Sequence, residues 1–184
     1  FALAAKMINQ DDRLIEVTKI IPSQKMIIGL AANVEYKALA ADGTTAHGLS
    51  PVLAILDEVG QITGPTSPFV EAITTSQGAH EDPLLVVIST SAPSDTDMFS
   101  TWIDDAVRSE DPNIVVREYK ADEGADLMDE EQWKKANPAL GLFRSEKDLR
   151  TQLAQASRLP SLEGAARNLL LNQRVAQDSL FMAP

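Results

Sequence analysis

The spacing of apolar positions changes character near Pro51. Before it, "FALAAKMI" repeats small and apolar residues at helical spacing with no capping residue ahead of Phe1, which reads as the middle of a helix and as a piece of a longer protein. The polar cluster Asn9-Gln10-Asp11-Asp12 ends that helix. "RLIEVTKII" sets Leu14, Glu16 and Thr18 against Ile15, Val17 and Lys19, and predicts a strand with one wet face. "KMIIGLAANVEYKALAAD" predicts one or two further short strands, and "DGTTAHGLSP" is a loop rich in Gly, Thr and Ser.

From Pro51 onward the apolar runs become continuous. "VLAILDE" and "LLVVISTS" have strand length and are apolar on both faces, as central parallel strands are, and "NIVVREY" is a shorter run of the same kind. Between the first two lies "TSPFVEAITTSQ", a helix with Ser67 as cap and Pro68 at its first position. Between the second and third lies "DTDMFSTWIDDAVRSED", which puts Phe99, Trp102, Ile103 and Ala106 on one helix face, with Asp95 or Thr96 as cap. Strand, helix, strand, helix, strand predicts an α/β fold, with a mainly parallel β-sheet flanked by helices.

After "YKADEGADLMDEEQW" the pattern turns helical. Asp129 caps a short helix carrying Trp133 that Asn137-Pro138 ends, Ser145 with Asp148 opens a second, and Ser161 opens a third. No segment repeats at a 20–50-residue period. The expected division is a sheet domain over 1–143 and helices over 144–184, laid on that domain or leading away from it.

Composition narrows what such a domain can do. At 184 residues and 44% hydrophobic, the chain can bury a real core, and no apolar run reaches the roughly 18 residues needed to cross a bilayer. With no cysteine there is neither a disulfide framework nor a thiolate zinc site. His47 and His80 alone cannot build a histidine metal site, so an ion here would be held by carboxylates, hydroxyls and water, which points to magnesium. Twenty-seven acidic against sixteen basic side chains give a net charge of -11, which opposes indiscriminate adhesion to a polyanion. DNA contact would need a local basic patch or other parts of a larger machine.

The candidate chemistry lies where the apolar runs stop. In open parallel sheets ligands bind beyond the carboxyl ends of strands. Asp57 and Glu58 occupy that end of one predicted strand, and Ser89, Thr90 and Ser91 that of the next. One carboxylate plus nucleotide phosphates suffices for Mg2+, and the second can take a proton from a water or orient it. This is the Walker B arrangement of a nucleotide hydrolase, with Asp57 on the metal and Glu58 on the water. The plainer readings are a polar strand edge for the carboxylates and a capped turn for the hydroxyls. In the functional reading, Ser89 or Thr90 hydrogen-bonds Glu58 or the terminal phosphate. Trp133 reads as a hydrophobic anchor, Lys134-Lys135 as a solvated helix face, and His47 as a loop residue.

Taken together, "ALAADGTTAHGLSPVLAILDEVGQ", "VVISTSAPSDTDMFSTWID" and "YKADEGADLMDEEQWKKANPALG", in that order, resemble the large terminase subunit of tailed bacteriophages. The series includes a His-Gly-Leu-x-Pro loop, an Asp-Glu strand end, a hydroxyl-rich strand end and Trp-x-x-x-Asn-Pro-x-Leu-Gly. It spans roughly Ala38 to Gly141. The resemblance implies a P-loop NTPase-like core and an ATPase that uses ATP and Mg2+ to drive double-stranded DNA into a procapsid. It implies Asp57 as the metal-associated aspartate, Glu58 as the catalytic glutamate and Ser89-Thr90-Ser91 as the segment coupling hydrolysis to movement. It also implies partners: a portal protein, a small terminase subunit and further copies in a ring, in the cytoplasm of a bacterial host. The helices of 144–184 would then be a linker toward an endonuclease domain.

Two departures qualify that pattern. The coupling segment commonly reads Thr-Thr-Ala-Gly, and here Pro93 follows Ala92. No glycine of this chain is followed by lysine, so there is no Gly-x-x-x-x-Gly-Lys-[Ser/Thr] phosphate cradle, which family members carry upstream of the matching region. The chain alone is therefore expected to bind nucleotide weakly and not to hydrolyse it. The alternatives are another nucleic-acid translocase or helicase-like ATPase, and a non-catalytic α/β interaction domain. Arg13, Arg108 and Arg117 are the arginines weighed as an arginine finger.

Overall fold

The fold was analysed on a computed structural model, which describes residues 1–40 and 48–175. The chain divides into two compact units, Phe1–Leu49 and Ser50–Pro184.

In the first unit, helix α1 (Ala2–Ile8) is followed by helix α2 (Asp12–Val17) and strands β1 (Thr18–Ile21), β2 (Met26–Gly29) and β3 (Val34–Lys37). The strands form an antiparallel sheet in the order β1-β2-β3, with Ile20 opposite Ile27 and Ile27 opposite Tyr36. The strand expected over "RLIEVTKII" is thus half helix. The Asp11 carboxylate accepts the Arg13 backbone N–H at 3.0 Å and pairs with its guanidinium at 2.7 Å, which starts a helical turn that alternation alone does not reveal.

The second unit is built on strands β4 (Leu53–Asp57) and β5 (Leu84–Ile88), which pair in parallel from Leu53↔Leu84 to Asp57↔Ile88. A parallel pair needs a long connection, and helix α3 (Pro68–Ser76) supplies it, capped as expected by Ser67 with Pro68 at its start. Alternation along β4 buries Ala54 and Leu56 and leaves Leu53 and Ile55 exposed. Helix α4 (Met98–Ser109) follows, with Phe99 buried and Trp102, Ile103 and Ala106 half-buried. Its N-cap residue is Asp97, not Asp95 or Thr96. The Asp97 carboxylate makes no cap bond but accepts the N–H groups of Gly64 at 2.8 Å and Ser94 at 3.1 Å.

The fold is therefore α/β, but the expectation of a mainly parallel sheet is corrected. Among the described residues the parallel sheet has two strands, and the other sheet is antiparallel. "NIVVREY" pairs with no strand among the described residues, and Ile114, Val115 and Tyr119 are exposed. A continuous apolar run signals burial on two faces, but a strand also needs a backbone partner, and none of the described residues supplies one here.

The helices that close the unit are α5 (Glu130–Ala136), α6 (Glu146–Arg158) and α7 (Pro160–Leu171). Asp129 and Ser145 cap the first two through the N–H groups of Glu131 and Asp148. The third begins at Pro160 instead of Ser161, because proline preorganises the first helical position. Trp133, Leu149, Leu153 and Leu171 are fully buried together with Ala121, Leu127, Ala156 and Ala166. The helices after 144 thus share one core with the segment before it. The Trp133 indole N–H donates to the Leu127 carbonyl at 2.7 Å, and the Arg150 guanidinium lies 4.9 Å from the ring centre. Asn137 donates to the carbonyls of Trp133 and Leu170, which ties the Trp-x-x-x-Asn motif to α7. Lys134 pairs with Glu131 at 2.8 Å and Lys135 with Asp122, as a solvated helix face would.

Removing the indole leaves a large cavity and orphans the Leu127 carbonyl. Trp133→Ala is expected to destabilise the chain by about 3–5 kcal/mol, read as a lowered urea midpoint; a cost under about 1 kcal/mol would disprove its place as the centre of this core.

Candidate functional site

The β4–β5 ladder continues one step past the strands. The Glu58 N–H donates to the Ile88 carbonyl at 2.8 Å, so the two carboxylates leave the sheet in register with the end of β5. Glu58 then adopts a left-handed conformation (φ 58°, ψ 32°), which costs a non-glycine residue roughly 1–2 kcal/mol. The strained residue reverses the chain into a single tight turn, Val59–Gln61.

That turn is fastened to the exit of β5. The Gly60 N–H donates to Ser89 Oγ at 2.7 Å, and Ser89 Oγ donates to the Thr90 carbonyl at 2.8 Å. Gln61 Nε2 donates to Thr90 Oγ1 at 2.9 Å. A Cβ on residue 60 would stand 2.1 Å from the Thr90 carbonyl oxygen, so only glycine fits there. Ser89 and Thr90, the hydroxyls expected to bond Glu58 or the terminal phosphate, here bond Gly60 and Gln61. Ser91 faces another direction and is held by Asn168 and Asn172 of the C-terminal segment.

Asp57, Glu58, Gln61, Ser89 and Thr90 line one broad, open cleft of about 1190 Å³. Its walls include Leu84, Leu85, Val87 and Ile88 of β5 and Asn113 to Arg117 beyond α4. Both carboxylates are exposed at its rim. Of the arginines weighed, Arg117 also lines the cleft, Arg108 Nε donates to the Asp104 carbonyl, and Arg13 pairs with Asp11. His80 Nε2 bonds the Ser50 carbonyl at 2.8 Å, and His47 lies outside the described residues.

The donor set can be tested against a nucleotide-bound magnesium ion. Carboxylates and hydroxyls are the hard oxygen donors that ion takes. Among the described residues no three His, Cys, Asp or Glu side chains gather to hold a metal. An ion held at this rim would have to bring phosphate and water oxygens of its own. The phosphate grip is a different matter, because the sequence has no Gly-Lys pair to supply it.

Gly60 and Gln61 were not singled out by sequence reasoning. The signal for the first was a glycine two positions after Glu58, which becomes informative only once Thr90 lies against it. Asn168 and Asn172 carried no local signal, since their partner is some eighty residues away.

No protein-family model matches the chain. It is 58% identical over 183 residues to the large subunit of the terminase of Enterobacteria phage HK97, an alignment covering 100% of this chain and 36% of that protein. The crystal structure of the HK97 bacteriophage large terminase superimposes with a TM-score of 0.91 at 59% identity, covering 94% of this chain and 36% of that one. The resemblance read from Ala38 to Gly141 thus extends over the whole chain, and the chain spans about a third of the length of the terminase it matches.

Gly60→Ala should force the carboxylate turn off the β5 exit. The expected result is a loss of roughly 1–3 kcal/mol in stability, as for overpacking, with faster hydrogen exchange at the amide of residue 60. Unchanged exchange there would refute the contact.

Proposed function

We propose that this chain, as a relative of the large terminase subunit, is the carboxylate-bearing part of an ATPase that packages a phage genome. The observation that carries the reading is the junction of the β4 and β5 ends. Two adjacent acids and two hydroxyls meet at the carboxyl ends of neighbouring parallel strands, on the rim of one cleft.

Asp57 would hold Mg2+ delivered with ATP, and the ion would supply charge neutralisation on the phosphate oxygens. Glu58 accepts a proton from the attacking water or orients it, held in place by the ladder bond of its own N–H. Ser89 and Thr90 hold the turn that follows Glu58, so any shift of that turn is felt at the β5 exit. Ser91 belongs to the same coupling segment. The partners are double-stranded DNA, a portal protein, a small terminase subunit and other copies in a ring, within the host cytoplasm. With a net charge of -11, this part is not expected to grip DNA over its general surface. The helices of 144–184 would connect to an endonuclease domain.

The cleft supports a P-loop NTPase-like core. β5 has one strand partner among the described residues, and Asn113–Arg117 has none, yet both line the same cleft. A further strand from outside these 184 residues, ending in the phosphate cradle, would satisfy both sets of backbone groups and cover the exposed Leu84, Ile88 and Val115.

Three outcomes are expected. The 184-residue chain alone turns over no ATP above background; turnover at an ordinary enzymatic rate would count against the need for an external phosphate cradle. In the HK97 large terminase carrying this segment in place of its own, Glu58→Gln lowers kcat by about 10²–10⁴-fold and leaves ATP binding largely intact; normal hydrolysis would remove Glu58 from the role. Amides of Leu84–Ile88 exchange more slowly in that chimera than in the isolated chain, and equal rates would argue against a strand in the cleft.

A further inference from the structure

The three consecutive hydroxyls divide their work. Ser89 and Thr90 face the carboxylate turn, whereas Ser91 is enclosed by the end of α7. Asn172, the residue that ends this helix, adopts a left-handed conformation at φ 56°, as helix-ending asparagines do. Its Oδ1 accepts the Ser91 N–H at 2.6 Å, and its carbonyl accepts the Ser91 hydroxyl at 2.9 Å. Its Nδ2 donates to the Tyr119 carbonyl at 3.0 Å. One turn earlier the buried Asn168 donates to the Ser91 carbonyl at 2.8 Å and to the Gln173 carbonyl at 3.1 Å. The N–H, the carbonyl and the hydroxyl of Ser91 are therefore all held by one helix end.

The attachment continues on both sides. The Val175 N–H donates to the Pro93 carbonyl at 3.0 Å. Arg174 grips Asp104 at 2.7 and 2.9 Å and Asp95 at 3.1 Å. Its hydrogen bonds hold the Asp104 carboxyl below the usual carboxylate range. Behind Asn172, Leu171 is fully buried in the Trp133 core, and its carbonyl accepts the Ala121 N–H at 3.0 Å. A continuous run of short bonds thus leads from the Glu58–Gln61 turn through Ser89–Ser91 to α7. Both ends of this three-residue segment are hydrogen-bonded, Ser89 and Thr90 to the carboxylate turn and Ser91 to α7, so a displacement at one end bears directly on the other.

From this connection we infer that Asn172 is a positioning residue that passes movement of the carboxylate turn, through Ser91, into α7. The inference rests on the packaging-ATPase reading above. Asn172 borders the same cleft as the carboxylates, but its Oδ1 and carbonyl are engaged by Ser91 and its Nδ2 by Tyr119, so it acts on the output of hydrolysis and not on its chemistry.

The test uses the HK97 large terminase carrying this segment, assembled with its own packaging components. Asn172→Gly keeps the left-handed backbone and removes both side-chain bonds. DNA packaged per ATP hydrolysed is expected to fall by about tenfold, inside the roughly 5–150-fold range of coupling between sites. kcat and KM for ATP should stay unchanged, since a variant that removes no ground-state or transition-state contact alters neither. Asn172→Asp keeps the acceptor for the Ser91 N–H and should retain most of the coupling. Hydrolysis and packaging falling together would overturn the inference, as would neither falling, or the aspartate variant behaving like the glycine one. Glu58→Gln, run in parallel, separates the two levels. If it hydrolyses ATP normally, the ATPase reading itself fails. If it is inactive while Asn172→Gly packages normally, only the role of Asn172 is lost.

Discussion

The parallel ladder between β4 and β5 is the constraint from which the second unit is organised. Its backbone bonds begin before the strands, with the Leu84 N–H on the Val52 carbonyl, and end after them, with the Glu58 N–H on the Ile88 carbonyl. Register in a parallel pair admits no slip without turning every side chain to the other face. Asp57 is thereby fixed opposite Ile88, and the next residue of each strand opens the site. The left-handed Glu58 is tolerable because its N–H is part of that ladder and the following turn is bonded to Ser89 and Thr90. A strained residue persists where its surroundings over-determine it, and such residues gather at working sites.

The second structural requirement is the helical core around Trp133. It joins α5, α6 and α7, and it places the end of α7 against the segment that leaves β5. Helices that the sequence presents as an appendage are therefore part of the site's support. The bonds across this junction are polar, directional and partly buried. Such bonds are costly to leave unmade, so the junction holds one arrangement more strictly than apolar packing would.

The edges of the parallel pair bear on assembly. Leu53, Ile55, Leu84 and Ile88 are exposed on strands that sequence alone would place in an interior. Exposed strand edges with apolar side chains are normally covered. The net charge of -11 opposes general adhesion to DNA.

The sequence by itself determined the local elements whose causes are local. These include the Ser67-Pro68, Asp129 and Ser145 helix starts, the β4 and β5 strands, and the order in which carboxylates and hydroxyls follow them. It also carried the family resemblance, because motif order and spacing survive in one dimension. One local cause is masked by the alternation: the Asp11 cap, two residues from its partner, which starts a helix within "RLIEVTKII". Tertiary structure alone decided the rest. Whether "NIVVREY" became a strand depended on a backbone neighbour that apolar content cannot provide. The need for glycine at 60 arises from the Thr90 carbonyl, and the role of Asn172 from Ser91. Hydrogen bonds and close contacts between distant residues leave no periodicity in the chain, so only folding brings them into view.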